Sequence, residues 1–163
     1  MATLRQSIQI ANNYPSIAAD GYEPILIHGD FVVPAGLVAT DVIEMVILPM
    51  GYVPHGIKVV TDQVDSNGTP TLTFDAGQIS GIPYTLVNTR TCGNEAFAAA
   101  AIGRTAAGDI QLDNKTALSF LPQQVTQELG VSFGLKVVGA PATLVVGARI
   151  RFSMIARPAI FGV

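Results

Sequence analysis

One stretch of the chain matches the pattern of a catalytic serine. Gly130-Val131-Ser132-Phe133-Gly134 fits G-x-S-x-G, in which the serine of an α/β hydrolase sits on a sharp turn between a strand and a helix. The pattern also requires a histidine later in the chain, and both histidines of this sequence come earlier. Ser132 lies instead in a run that alternates like a strand. We therefore predict that the protein has no catalytic residues and is not an enzyme.

The remaining polar groups do not suggest a metal or cofactor site. His28 and His55 are far apart in sequence and each lies beside turn residues, which favours ordinary loop histidines over metal ligands. Asp62, Asp65 and Asn67 offer oxygen atoms, but their spacing is not that of an EF-hand loop, and turn formation explains Asp65 and Asn67. No glycine-rich phosphate loop with its lysine is present. We expect no metal and no cofactor.

The composition narrows the classes of partner. Charged residues make up 13% of the 163 residues and apolar residues 49%, whereas an average soluble domain is about 25% charged. So few charges predict that much of the surface is buried against other protein. The net charge of −3 argues against nucleic acid, and no apolar run reaches the ~20 residues of a membrane-spanning helix. The single cysteine, Cys92, excludes an internal disulfide and a cysteine zinc site.

The elements that must position any functional surface are mostly strands. Residues 131–137 and 144–154 alternate between apolar and other residues, with the period of two that a half-buried strand shows. This alternation predicts that one set of side chains faces the core: Phe133, Leu135, Ile150, Phe152 and Met154. Further strands are predicted over 41–48, with Glu44 facing away from its apolar neighbours, and over 57–64 and 71–76.

Turn signals and one helix complete the predicted fold. Asn67-Gly68 lies between two strand-like runs, which predicts a β-hairpin. Residues 94–108 are rich in alanine, with Asn94 as a possible N-cap, and predict one short inserted helix. Six to eight short strands with one helix predict an all-β protein, a β-sandwich with either jelly-roll or Greek-key connections.

Two groups of residues are candidates for contact with a partner. Arg149 and Arg151 share one face of the last strand and predict a basic surface that meets an acidic one. Residues 1–22 are predicted to form an N-terminal arm ahead of a single domain over 23–163, because turn residues interrupt their apolar side chains. A loose terminus and a segment that docks on a neighbour stay open as alternatives. The apolar candidates in the arm are Leu4, Ile8, Ile10, Tyr14 and Ile17.

The middle of the chain resembles a known family. Its succession of turns and strands runs from Phe31-Val32-Val33-Pro34-Ala35-Gly36 through Asp41-Val42-Ile43-Glu44 and Leu48-Pro49-Met50-Gly51 to Asp65-Ser66-Asn67-Gly68-Thr69-Pro70-Thr71. This pattern is similar to that of the decoration, or cement, proteins on the heads of tailed bacteriophages. The resemblance spans residues 30–155, with the alanine-rich stretch and paired final strands as its later parts. Glu128-Leu129-Gly130 and the arm depart from the pattern.

The resemblance implies a jelly-roll or related sandwich on the outer surface of a capsid, where it clamps neighbouring major capsid subunits and has no active site. The expected partners are the major capsid protein and the protein itself, because the shortage of charge predicts a homodimer or homotrimer. Nucleic acid and membrane are not expected as partners. The N-terminus lacks the apolar stretch of a signal peptide, so we expect synthesis in the host cytoplasm and a final location in the virion.

Two other functions stay open at this stage. One is a carbohydrate-binding β-sandwich, although the chain has no tryptophan and its four tyrosines are scattered, whereas sugar rings usually stack on aromatic side chains. The other is a different structural subunit of the head or tail. At 163 residues the chain is small for a subunit that forms the shell.

Overall fold

The structure, a computed structural model, describes residues 3–12, 24–104, 108–111 and 129–158. Within these ranges the chain forms nine strands and one short helix. In chain order they are β1 (Leu4–Gln6), α1 (Ile8–Ala11), β2 (Ile25–Val32), β3 (Val42–Leu48), β4 (Tyr52–Thr61), β5 (Thr73–Ile79), β6 (Phe97–Ala100), β7 (Gly108–Gln111), β8 (Val131–Gly139) and β9 (Arg149–Pro158). None of the described helical residues forms a segment long and apolar enough to cross a membrane.

The strands pair into two sheets that enclose one core. The first sheet has the order β1-β3-β8-β5-β6 and the second the order β2-β9-β4-β7. From β2 onward every connection passes from one sheet to the other, except that between β5 and β6. Eight strands connected in this way form a jelly roll, to which β1 adds a parallel partner for β3. The predicted all-β sandwich is confirmed, and of the two predicted topologies the chain adopts the jelly roll.

The core between the sheets is built from the alternating strands. The five side chains predicted to face inward on the last two strands are each at most 2% exposed, which confirms their orientation. The predicted start of the last strand at residue 144 is wrong, because β9 begins at Arg149 and residues 144–148 lie in the loop before it. β8 and β9 occupy central positions, but in opposite sheets, so they face each other across the core and do not pair. The paired final strands implied by the resemblance are therefore wrong.

Replacing Phe152 with alanine is expected to lower the free energy of unfolding by about 3–5 kcal/mol, because the fully buried ring leaves a cavity at the centre of the second sheet. Phe152 lies on β9 between Gly29 and Val59 of the neighbouring strands. Val60→Ala is a matched control on a 41% exposed side chain and should change stability by less than about 0.5 kcal/mol. Urea denaturation measures both, and a loss below about 1 kcal/mol for Phe152→Ala would contradict its core position.

The predicted helix over 94–108 is wrong. Residues 97–100 form β6, which pairs with β5 at the edge of the first sheet, and residues 101–104 are not helical. Residues 105–107 lie outside the described ranges, and Gly108 begins β7. Alanine favours helices by less than 1 kcal/mol per residue, so tertiary pairing can override it. Here Phe97 is buried in the sheet, and the backbone N–H of Ala99 donates to the Asp75 carboxylate at 2.8 Å.

The predicted hairpin at Asn67-Gly68 is also wrong, because β4 and β5 belong to different sheets. The connection between them is organised by a buried carboxylate, Asp65, whose oxygens accept hydrogen bonds from the backbone N–H groups of Asn67, Thr71, Leu72, Ala142 and Thr143. This one side chain holds the β4–β5 loop against the β8–β9 loop. Turn-forming residues are present as predicted, but they lie in a loop that connects a strand of one sheet to a strand of the other.

The described part of the N-terminal segment packs on the domain. β1 pairs in parallel with β3, and the Ser7 hydroxyl donates to the Met45 carbonyl at 2.7 Å. Leu4 and Ile10 are 5% and 4% exposed within this chain. A division into an arm over 1–22 and a domain over 23–163 stays a prediction, since residues 13–23 lie outside the described ranges.

Candidate functional site

The serine of the G-x-S-x-G stretch has a structural role. Ser132 lies within β8 and is fully buried. Its hydroxyl donates to Glu44 Oε1 at 2.5 Å and accepts from Arg90 Nη2 at 2.9 Å. The two partners of this hydroxyl, Glu44 and Arg90, form a buried ion pair. The Ser132 side chain therefore stabilises the fold. This agrees with the prediction that Ser132 is a strand residue.

The candidate metal ligands do not come together among the described residues. His28 and His55 are exposed, on β2 and β4, the two strands that flank β9. The described residues contain no cluster of three or more histidine, cysteine, aspartate or glutamate side chains that could hold a metal ion. The carboxylate oxygens of Asp65 accept hydrogen bonds from backbone N–H groups.

Cys92 is a buried free thiol in the connection between β5 and β6, where it forms an isolated bridge with Ile79. Burial raises the pKa of the Cys92 thiol to about 12, although a hydrogen bond to the Gly77 carbonyl acts in the opposite direction. The thiolate is the nucleophilic form, and burial disfavours it at neutral pH. It belongs to a small apolar cluster with Leu4, Val42 and Ile79 on the outer side of the first sheet.

The outer face of the second sheet carries the two predicted arginines. Arg151 binds Asp30 on the neighbouring strand through two hydrogen bonds, Nε to Oδ1 at 2.6 Å and Nη2 to Oδ2 at 3.1 Å. These bonds hold the pKa of Asp30 below its ordinary value and raise the pKa of Arg151. Arg149 is exposed, and its backbone N–H donates to the Asp62 carboxylate. The same face exposes Leu26, Val32, Val60 and Ile155.

The five apolar candidates of the N-terminal segment differ in their exposure. Leu4 and Ile10 are buried within this chain, whereas Ile8 is 45% exposed. Tyr14 and Ile17 lie outside the described residues. Whether any of these side chains, or the two arginines, touches a partner stays a prediction.

A second exposed surface lies over the outer face of the first sheet, on a loop between β5 and β6. We call residues 80–89 the apolar loop. Their sequence contains no acidic or basic residue. Four large apolar side chains point into solvent: Ile82 at 60% exposure, Tyr84 at 38%, Leu86 at 69% and Val87 at 47%.

Arg90 fastens the apolar loop to the sheet beneath it. Its guanidinium donates to the Ser80 carbonyl at 2.7 Å and to the Thr85 carbonyl at 3.1 Å, within the loop itself. The same group forms an ion pair with Glu44 on β3, with Nη2 and Oε1 2.7 Å apart and both side chains nearly inaccessible. Gln6 Nε2 donates to the second oxygen of Glu44 at 2.9 Å. The loop is therefore tied to three strands of the first sheet, β1, β3 and β8.

The backbone of the apolar loop is closed on itself. The N–H of Ser80 donates to the Thr91 carbonyl at 2.9 Å, and the two hydroxyls of these residues lie 3.1 Å apart. Tyr84 has a φ of +64°, a left-handed conformation that residues other than glycine rarely adopt. Such a conformation persists where surrounding contacts determine the backbone. A compact loop whose ends meet is held in one shape, and surface loops of this kind are frequently functional.

Sequence reasoning missed the apolar loop and its anchor. The two partners of the ion pair are 46 positions apart, and no local pattern links them. Glu44 does face away from its apolar neighbours as predicted, but the loop covers that face, so the carboxylate is buried. The available signal was a ten-residue stretch without charge that nevertheless contains large apolar residues, which is unusual for a solvated loop.

Comparison with solved structures places this fold among phage capsid chains. The chain superposes on a chain from the capsid of Ralstonia phage GP4 with a TM-score of 0.86 and 30% sequence identity, over 96% of this chain and 99% of that one. It also superposes on a chain of the cyanophage Pam1 capsid asymmetric unit, with a TM-score of 0.63 and 18% identity, over 90% and 95% of the two chains. The second likeness bears on the fold alone. No protein-family model and no curated protein matches the sequence.

Proposed function

The chain belongs to the phage capsid protein family of its Ralstonia phage GP4 neighbour, and from that premise we propose that it is a decoration protein. It is a structural protein of the virion. In the proposed role it sits on the outer surface of the head and clamps neighbouring major capsid subunits.

One observation carries this proposal: the chain corresponds to almost the whole of its GP4 neighbour, at 99% coverage, and yet has only 163 residues. A chain of 163 residues is small for a subunit that builds the shell. A single jelly roll of this size suits a protein added to a shell that other subunits have built. The shortage of charge supports the same role, because exposed apolar surface marks sites of contact with other proteins.

Nothing in the described residues favours the carbohydrate-binding alternative. Of the two described tyrosines, Tyr52 is buried and Tyr84 is exposed among aliphatic side chains. A sugar site needs an aromatic face beside polar groups that bind the hydroxyls, and the apolar loop offers few of the latter.

The direct test is binding to expanded phage heads that lack decoration. Purified protein should co-sediment with these heads to a fixed number of copies per head, and heads already decorated serve as the control with filled sites. Bound protein should also raise the temperature at which the heads fall apart, because a ligand that binds only the assembled state stabilises that state. Absence of saturable binding would refute the decoration role.

Self-association is the second part of the proposal. We expect a homodimer or homotrimer in solution, which light scattering at micromolar concentration measures directly. A stable monomer would remove self-association from the proposal and leave capsid binding to be judged by sedimentation.

A further inference from the structure

We propose that the apolar loop is the surface through which this protein docks on the capsid shell, by inserting into an apolar depression on the shell subunits. This inference rests on the proposed decoration role and assigns that role to one surface. Its occupant is a concave, uncharged area of the shell, because the loop offers only apolar and neutral polar groups.

The exposed side chains of the loop form a patch of meaningful size. Four large apolar residues between 38% and 69% exposed present roughly 400 Å² of apolar surface, within the ~300–600 Å² of the largest patch on a typical monomer, which is often functional. Ile82 and Leu86 are more than half exposed and therefore protrude. A protruding apolar side chain binds best when a pocket on the partner surrounds it and excludes water.

The anchor beneath the patch favours binding. Ordering a mobile loop opposes association, and a loop already held in its bound shape avoids that loss. Arg90 supplies the rigidity through its bonds to Ser80, Thr85, Ser132 and Glu44. Among the described residues the pair between Arg90 and Glu44 is the most deeply buried ion pair, and it holds this otherwise exposed loop in place.

A second copy of this chain fits the patch less well than the shell does. Two copies meeting through this loop would bury roughly 800 Å² in total, below the ~1,200 Å² at which stable interfaces begin. Two protruding surfaces also cannot enclose each other's side chains. On a shell, by contrast, the copies of the proposed dimer or trimer would bind side by side, and each modest contact would strengthen the others.

The outer face of the second sheet is the competing surface, and it provides a matched control. Leu26 lies there with 67% exposure, against 69% for Leu86 on the apolar loop. We expect Leu86→Asp to weaken co-sedimentation with undecorated heads at least about tenfold, whereas Leu26→Asp should change it less than about twofold. Ile82→Asp is a second loop variant, and unchanged melting temperatures would show that the variants are folded.

The outcomes are distinct. Wild-type protein that fails to bind heads would refute the decoration role and this inference with it. Wild-type binding that survives Leu86→Asp and Ile82→Asp would overturn the inference alone, and loss of binding in Leu26→Asp would move the docking surface to the second sheet. A changed oligomeric state in Leu86→Asp would assign the loop to self-association.

Binding of the wild-type protein to heads through an uncharged loop should vary less than about twofold between about 50 mM and 500 mM salt. Steep weakening of binding with salt would contradict docking through the apolar loop.

Discussion

Replacing Arg90 with alanine is expected to destabilise the protein by about 3–5 kcal/mol, because the substitution leaves Glu44 as an unpaired charge in the interior. The loop carbonyls of Ser80 and Thr85 lose their donor at the same time. For a chain of this length, a loss of that size corresponds to a melting temperature lower by roughly 6–20 °C. Thermal and urea denaturation measure both quantities.

Arg151→Ala is the matched control for this prediction. It removes an arginine–carboxylate pair of comparable geometry, but one whose arginine side chain is 58% exposed. Exposed pairs contribute about 0–1 kcal/mol, so the control should melt within a few degrees of wild type. Equal losses in the two variants would contradict a special role for the buried pair.

A double variant separates the ion pair from the packing around it. In Arg90→Met with Glu44→Gln neither charge remains, so the unpaired carboxylate that dominates the single variant is absent. We expect the double variant to regain part of the loss, since removing both partners of a buried pair is far less damaging than removing one. A double variant less stable than Arg90→Ala would contradict the view that the unpaired charge of Glu44 dominates the loss.

Replacing Asp65 with alanine is expected to lower stability by about 3–4 kcal/mol, the second large effect. Its carboxylate accepts hydrogen bonds from five backbone N–H groups in two loops that lie about 70 positions apart in sequence. Buried N–H groups without an acceptor cost about 1–3 kcal/mol each, and loops at the surface regain part of this by binding water. The loss should appear in urea denaturation at pH 7 with little change in the denaturant slope.

The contribution of Asp65 should depend on pH in a defined direction. Burial raises the pKa of this carboxyl, but the N–H groups of Thr143, Ala142, Asn67 and Thr71 outweigh it, and the folded-state pKa lies far below the ordinary value of 3.8. A depressed folded pKa gives stability that is present above the unfolded value and is lost as pH falls through the folded one. The loss therefore begins near pH 4 and continues to much lower pH.

Asp65→Asn tests that direction, because it keeps the shape and removes the titration. The stability difference between wild type and this variant should be constant between about pH 5 and 7 and should shrink steadily below about pH 4. Parallel stability curves down to pH 2 would contradict a depressed pKa for Asp65.

How much of this could be predicted from the sequence differs from element to element. The alternation along β8 and β9 identified the inward faces of both strands, because a strand's period of two is a local property and burial follows it. The position of Ser132 in an alternating run predicted a strand residue, as the structure confirms, and the shortage of charge predicted contact with other protein, which stays a prediction. Composition and local period were sufficient for these conclusions because each depends only on neighbouring residues.

The tertiary structure alone decided which elements meet. Nothing local shows that the strands on either side of Asn67-Gly68 enter opposite sheets, because turn-forming residues suit a hairpin and a crossing equally. The alanine-rich residues 97–100 form the strand β6, because the pairing of this strand with β5 outweighs the small helix propensity of alanine. The pair between Glu44 and Arg90, and the apolar loop that it fixes, join segments 46 positions apart. Such contacts depend on the path of the whole chain, so only the folded structure could reveal the loop through which we propose that the protein docks.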